Sequence, residues 1–284
     1  MERKKVTAAN LQAKKEQGDK IVRIVCYDYP MAVLADRAGV DAILVGDSVG
    51  MVQLGMNSTV PVTMEEMIHH CKAVMRGVDY ALVIGDLPFM SYQSGERDAV
   101  INAGRLLKEG WVDAVKLEGG REMAPIVEAI AGAGILVMGH IGLTPQTASQ
   151  LGGFKVQGKD ASTASKLLDD AKALEEAGAF MLSLECVPDR LAEAITQELR
   201  IPVTGIGAGP YTDGQSILLY DLIGLYPRFT PKFVKKYANL SDQVVQALQQ
   251  FSQEVKNGSF PGPEHSYKME DAALEELVRM RRRS

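Results

Sequence analysis

Ala42-Ile43-Leu44-Val45-Gly46-Asp47-Ser48-Val49-Gly50 decides the fold. An apolar run ends abruptly in a carboxylate, a hydroxyl and a glycine. A strand buried on both faces reads as such a run, and its polar end marks the C-terminal rim of a parallel sheet. That rim is where α/β proteins place their chemistry. The design recurs along the chain. Ala81-Leu82-Val83-Ile84-Gly85 runs into Asp86, and Asp113-Ala114-Val115-Lys116-Leu117 into Glu118. Ile135-Leu136-Val137-Met138-Gly139 runs into His140, and Phe180-Met181-Leu182-Ser183-Leu184 into Glu185. One strand ending in an acid is ordinary. Five ending in ionisable groups point to one shared polar mouth.

Helix signals fill the gaps. Thr7 and Gly18 bracket a short leading helix. Pro30 opens a helix where its missing N–H costs nothing. Thr63-Met64-Glu65-Glu66 is a capping box. Glycines 39, 77, 110, 134 and 178 close successive helices. Further strands are expected over 21–27, 201–204 and 216–220, a long closing helix over 233–255, and an amphipathic helix over 270–280. About eight strand–helix units fit a (βα)8 barrel, which takes about 250 residues. The chain has 284. The expected division is one barrel domain over 1–257 and a linker with a C-terminal helix over 258–284, marked by Gly258, Pro261, Gly262 and Pro263. A doubly wound open sheet is the alternative, but it would gather its polar ends at one switch point.

Composition excludes several classes. The formal net charge of −5 is dispersed, and the basic run Arg281-Arg282-Arg283 is short. That argues against a nucleic-acid partner. The start, Met1-Glu2-Arg3-Lys4-Lys5, leads into polar residues rather than the apolar core of a signal peptide. No stretch approaches the roughly 18 apolar residues of a membrane span. Cys26, Cys71 and Cys186 fit neither a metal motif nor a disulfide framework, which reads as a reduced, cytoplasmic protein.

Side chains alternate along a strand. Ile43, Val45 and Asp47 therefore share a face, as do Leu82, Ile84 and Asp86, and likewise Lys116 and Glu118. Asp47, Asp86 and Glu118, from neighbouring strands, suit a hard divalent cation such as Mg2+. Without a cation they would repel, and at least one pKa would rise. Taken singly, each could merely cap a loop or helix. Lys116, alone among the lysines in an expected strand core, must be paired or functional. It could clamp a substrate carboxylate or enolate, act as a Schiff-base nucleophile, or pair with a mouth acid. Glu185, alone at its strand end across the barrel from the other acids, suits a general base, with a capping role as the plain alternative. His140 suits a ligand, an acid or a structural group. Gly205-Ile206-Gly207-Ala208-Gly209 leaves bare backbone for a close approach. Pro210 follows it, so it is no dinucleotide fingerprint.

Several segments resemble, in order, the ketopantoate hydroxymethyltransferase family. They are Gly46-Asp47-Ser48-Val49-Gly50-Met51, Gly85-Asp86-Leu87-Pro88-Phe89, Val115-Lys116-Leu117-Glu118-Gly119-Gly120, Gly139-His140-Ile141-Gly142-Leu143-Thr144-Pro145-Gln146 and the glycine run at 205–209. The likeness extends over about 6–237. It implies a barrel of the phosphoenolpyruvate/pyruvate-binding type with Mg2+. It implies transfer of a one-carbon unit from 5,10-methylenetetrahydrofolate to 3-methyl-2-oxobutanoate, giving 2-dehydropantoate on the way to pantothenate and coenzyme A. By the same likeness Asp47, Asp86 and Glu118 are metal positions. Asp47, Ser48, Asp86 and Lys116 contact the oxo acid, and Glu185 is the proton acceptor. The family is typically a cytoplasmic homodecamer. Two other readings stand beside it. One is a Mg2+-dependent 2-oxo acid lyase or mutase cleaving C–C or P–C bonds, whose cysteine-bearing loop is not visible here. The other is a non-catalytic barrel scaffold, which has no need for this set of residues.

Overall fold

The apolar run at 42–45 is a strand buried along its whole length. In the computed structural model, which describes residues 3–283, it is one of eight. Met1 and Glu2, from the charged start, and Ser284 lie outside the described residues. The strands are β1 (Ile21–Val25), β2 (Ala42–Val45), β3 (Leu82–Asp86), β4 (Ala114–Glu118), β5 (Val137–Gly142), β6 (Met181–Glu185), β7 (Val203–Ile206) and β8 (Gly214–Leu218). Each pairs in parallel with the next, and β8 closes onto β1. Closure removes the open-sheet alternative. It also explains the unbroken apolar runs, because helices cover one strand face and the barrel interior takes the other.

Six long crossover helices link β1 to β7. They are Tyr29–Ala38, Met64–Met75, Glu96–Lys108, Ala124–Gly132, Ala161–Glu176 and Asp189–Glu198. Thr63 and Glu66 form the expected capping box, and Gly39 closes its helix in the left-handed region at φ 88°. β7 reaches β8 without a helix. β8 ends two residues sooner than the sequence pattern predicts, because Leu219–Leu222 turns helical.

Register decides where the chemistry goes. Asp86 lies opposite Lys116, Glu118 opposite His140, and Gly142 opposite Glu185. The ionisable ends therefore step around one rim.

The opposite rim has its own device. Asp41, Asp113 and Asp213 immediately precede β2, β4 and β8. Each accepts the backbone N–H of a residue on the preceding strand, Val22, Val83 and Val203, at 2.8 Å. Each also pairs at 2.8 Å with a lysine of the leading segment, Lys14, Lys5 and Lys15 respectively. The helix Ala8–Gln17, capped by Thr7, carries two of these lysines and buries Leu11.

The chain divides into two compact units, Met1–Tyr237 and Ala238–Ser284. The long closing helix, grouped with the barrel in the 1–257 expectation, falls in the second unit. It begins at Leu240 rather than at Phe233. Within that unit Phe251 meets Phe260 at 5.4 Å, and a further helix runs over Asp271–Arg281.

Candidate active site

The mouth is floored by a line of charged groups. Lys116 Nζ lies 2.8 and 2.7 Å from the two Asp86 oxygens and 3.3 Å from Glu118 Oε1. His140 Nδ1 sits 3.2 Å from Glu118 Oε1, and its Nε2 sits 3.2 Å from Glu185 Oε2. These are ion-pair distances without the alignment of a hydrogen bond. Asp86 Oδ2 accepts the Asp47 N–H at 3.1 Å. Glu185 is thus not alone on its side of the barrel, because β5 lays His140 across the gap. Asp47, Asp86, Lys116, Glu118 and His140 are all buried. Glu185 keeps 18% of its side chain exposed, so it is the acid with an open face. Ser48 begins the short turn of helix Val49–Val52, and its Oγ lies 2.8 Å from the Tyr27 hydroxyl.

The electrostatics follow from burial and neighbours. Burial, reinforced by Asp86, pushes the Asp47 carboxyl well above its ordinary value, against the pull of Lys116. Asp86 is also raised by burial, with Lys116 opposing. Burial would likewise raise Glu118, but Lys116 and His140 outweigh it and hold it low. Burial would lower Lys116, yet Asp86, Glu118 and Asp47 overcome it and hold the ammonium charged. His140 is raised because Glu118 and Glu185 outweigh burial and Lys116.

Three participants carry no assignment from the sequence reading. Arg23 on β1 is buried beneath the floor, bonded to Ser216 Oγ at 3.1 Å and Ser183 Oγ at 2.7 Å and touching the Met138 sulfur. Burial pulls it down to about 10, with Asp86 and Glu185 resisting. Its signal was present, a cation inside Ile21-Val22-Arg23-Ile24-Val25. Gln146 donates from Nε2 to Asp47 Oδ2 and to the Leu87 carbonyl, both at 2.9 Å. Its backbone N–H donates to Glu118 Oε2 at 3.0 Å. Tyr92 O–H donates to Gln146 Oε1 at 2.7 Å and accepts the Glu118 N–H at 3.1 Å. Gln146 and Tyr92 therefore hold two of the acids in place.

Above the floor opens a cavity of about 650 Å³ that reaches Asp47, Ser48, Asp86, Lys116, Glu118, His140 and Glu185 together. On the floor of that cavity four carboxylates, Asp47, Asp86, Glu118 and Glu185, face Lys116 and Arg23. Among the described residues no three His, Cys, Asp or Glu side chains close into a metal cage.

A sequence model of the ketopantoate hydroxymethyltransferase family matches residues 5–263. A 3-methyl-2-oxobutanoate hydroxymethyltransferase from Moorella thermoacetica is 60% identical over 267 residues, covering 94% of this chain and 99% of its own. One of the same name from Enterococcus faecalis is 54% identical, covering 96% and 99%. Among solved structures, 2,3-dimethylmalate lyase, of the PEP mutase/isocitrate lyase superfamily, superposes with a TM-score of 0.57 at 16% identity, over 97% of this chain and 98% of its own. Phosphonopyruvate hydrolase, solved with oxalate and Mg2+, gives 0.57 at 14%, covering 97% of each. These two share the barrel fold. The extent of the sequence match, with the acids, Lys116 and His140 on one rim, places the chain in the ketopantoate hydroxymethyltransferase family.

Proposed function

We propose that the protein transfers a hydroxymethyl group from 5,10-methylenetetrahydrofolate to 3-methyl-2-oxobutanoate, giving 2-dehydropantoate. Family membership makes it an enzyme, a hydroxymethyltransferase. The observation that carries the reading is the connected line Asp86–Lys116–Glu118–His140–Glu185 beneath one cavity.

The donor set fits Mg2+. The groups are hard oxygens, the charge surplus is negative, and Asp47 Oδ1 has no hydrogen-bond partner among the described residues. An incomplete cage suits a cation that keeps waters and substrate oxygens in its remaining positions. Asp47 and Asp86 would hold it, with Glu118 behind. When bound, it would supply Lewis acidity toward the carboxylate and keto oxygens of a 2-oxo acid.

The chain's own groups do the rest. Glu185, the acid with an open face, takes the proton from C3. The C–H electron pair moves into the C2–C3 bond, and negative charge builds on the keto oxygen. Lys116 offsets that charge from a fixed position, with no reorganisation at the moment of reaction. Its pairing with Asp86 and its raised pKa favour this clamp over a Schiff-base amine, which needs a neutral nitrogen. Water adds to the methylene carbon of the folate and both its C–N bonds break, releasing tetrahydrofolate and a formaldehyde equivalent. The nucleophilic C3 then adds to that carbonyl carbon, and its oxygen takes a proton and becomes the hydroxyl. Burial of the floor limits stray protonation of the carbanion.

The test is product analysis with the oxo acid, methylenetetrahydrofolate and Mg2+. Formation of 2-dehydropantoate is expected; its absence from active, folded protein overturns the reading. On the same family reading the protein is a cytoplasmic homodecamer, which light scattering on the purified protein checks. Among the described residues no helix is long and apolar enough to cross a membrane.

A further inference from the structure

The cavity is far larger than its floor requires. A space of about 650 Å³ is of the size that takes a drug-sized ligand. A five-carbon oxo acid on the charged floor leaves most of it empty. The outer part changes character. Its walls come from two loops, one after β5 and one after β8, and they carry Phe154, Tyr226, Phe229 and Phe233. Three of these rings stand well out of the core, Phe154 at 59%, Phe229 at 69% and Phe233 at 38% exposure. Clustered apolar surface of this kind marks a binding groove.

Two more features narrow the ligand. Lys155 follows Phe154, and Lys232 precedes Phe233, and all four line the cavity, so each loop brings a ring and a lysine to it. Neither ammonium meets a carboxylate among the described residues. The second feature is Gly207, at φ 65°. A Cβ there would lie 2.7 Å from the Phe233 ring, so the bare backbone is the seat of that ring. The glycine run thus holds an aromatic wall over the mouth rather than cradling a phosphate. A flat ring system flanked by aromatic faces, with an anionic tail on flanking cations, is the complementary shape. Asp47, Asp86, Glu118 and Glu185 occupy the floor, so a second reactant must reach C3 from this outer side.

We propose that the outer cavity is the reduced-folate subsite. The pteridine is held among Phe154, Tyr226, Phe229 and Phe233, and the glutamate carboxylates sit on Lys155 and Lys232. This rests on the reaction proposed above and supplies the folate contacts that reading lacks.

The experiment is calorimetric binding of tetrahydrofolate and, separately, of 3-methyl-2-oxobutanoate to the Mg2+-loaded full chain. Phe154→Ala and Phe233→Ala are each expected to raise the tetrahydrofolate Kd by about tenfold, the scale of one lost stacking partner, and the oxo acid Kd by less than about threefold. Phe233→Tyr should restore folate affinity, which a merely collapsed loop would not show. Lys155→Ala with Lys232→Ala should weaken a triglutamyl tetrahydrofolate more than the monoglutamyl form. Unchanged tetrahydrofolate affinity in both phenylalanine variants overturns the subsite, as does an equal loss of oxo acid affinity. Turnover separates the two claims. If the wild type makes 2-dehydropantoate while the variants keep its KM for methylenetetrahydrofolate, the subsite falls and the reaction stands. If the wild type binds tetrahydrofolate at these rings but makes no product, the reaction falls instead.

Discussion

His140 joins acids that would otherwise be separate. With Glu118 on one ring nitrogen and Glu185 on the other, a change at Glu185 is felt along the floor. Glu185→Gln keeps the size and removes the acceptor. C3 proton exchange into solvent is expected to fall about 10²–10⁴-fold, while oxo acid binding changes far less; exchange at the wild-type rate would move the base elsewhere. Gln146→Met removes the amide that holds Asp47 but keeps its backbone bond to Glu118. Mn2+ affinity, read by electron paramagnetic resonance, should drop about 10–100-fold, the usual cost of a lost outer-shell partner, with circular dichroism unchanged. A third residue reports on pH. Burial raises Asp221 to about 6, against Lys236. The folded state therefore keeps a proton that the unfolded chain releases above its ordinary value. Stability from this group is present below about pH 4 and is lost as pH rises through about 6. Asp221→Asn should be more stable than wild type near pH 7 and match it near pH 4, by urea midpoint. The mouth acids, Lys116 and His140 were legible because each interrupts or ends an apolar run. Arg23 interrupts one in the same way. Gln146 and Tyr92 lie in loops without periodicity or charge, and only their tertiary partners give them meaning.

At the scale of elements, periodicity and helix stops located the strands closely, since each is a short apolar run between polar ends. The closing helix shows where pattern misleads. Phe233 and Val234 look like the start of an apolar stripe, but Phe233 is drawn to Gly207, and the helix waits until Leu240. Nothing in the strand pattern singles out the aspartates before β2, β4 and β8. Their energetics are unequal to those of their lysines. An exposed pair such as Lys5–Asp113 is worth at most about 1 kcal/mol. Stranding the buried Val203 N–H costs about 1–3 kcal/mol. Asp213→Ala is therefore expected to lower Tm by several degrees, on the scale of about 2–4 °C per kcal/mol. Lys5→Ala should lower it by a few degrees at most. Differential scanning calorimetry ranks the two, and the reverse order would refute the account.

Across the whole molecule the two rims divide the labour. The C-terminal rim gathers unfavourable charge for chemistry, and the N-terminal rim stitches neighbouring strands to the leading segment. From this separation, mouth variants are expected to lose activity without losing the fold. The stitching also imposes a timetable on biosynthesis. Lys15 and its partner Asp213 are 198 positions apart. At about 5–20 residues per second of translation, Lys15 is made some ten to forty seconds before Asp213 exists. Asp41, by contrast, reaches Lys14 within moments. A nascent chain can therefore assemble from its front edge, but it cannot seal until the ribosome has nearly finished the barrel. During that interval the edges of β1 and of the newest strand are exposed, and that is when a chaperone has most to protect.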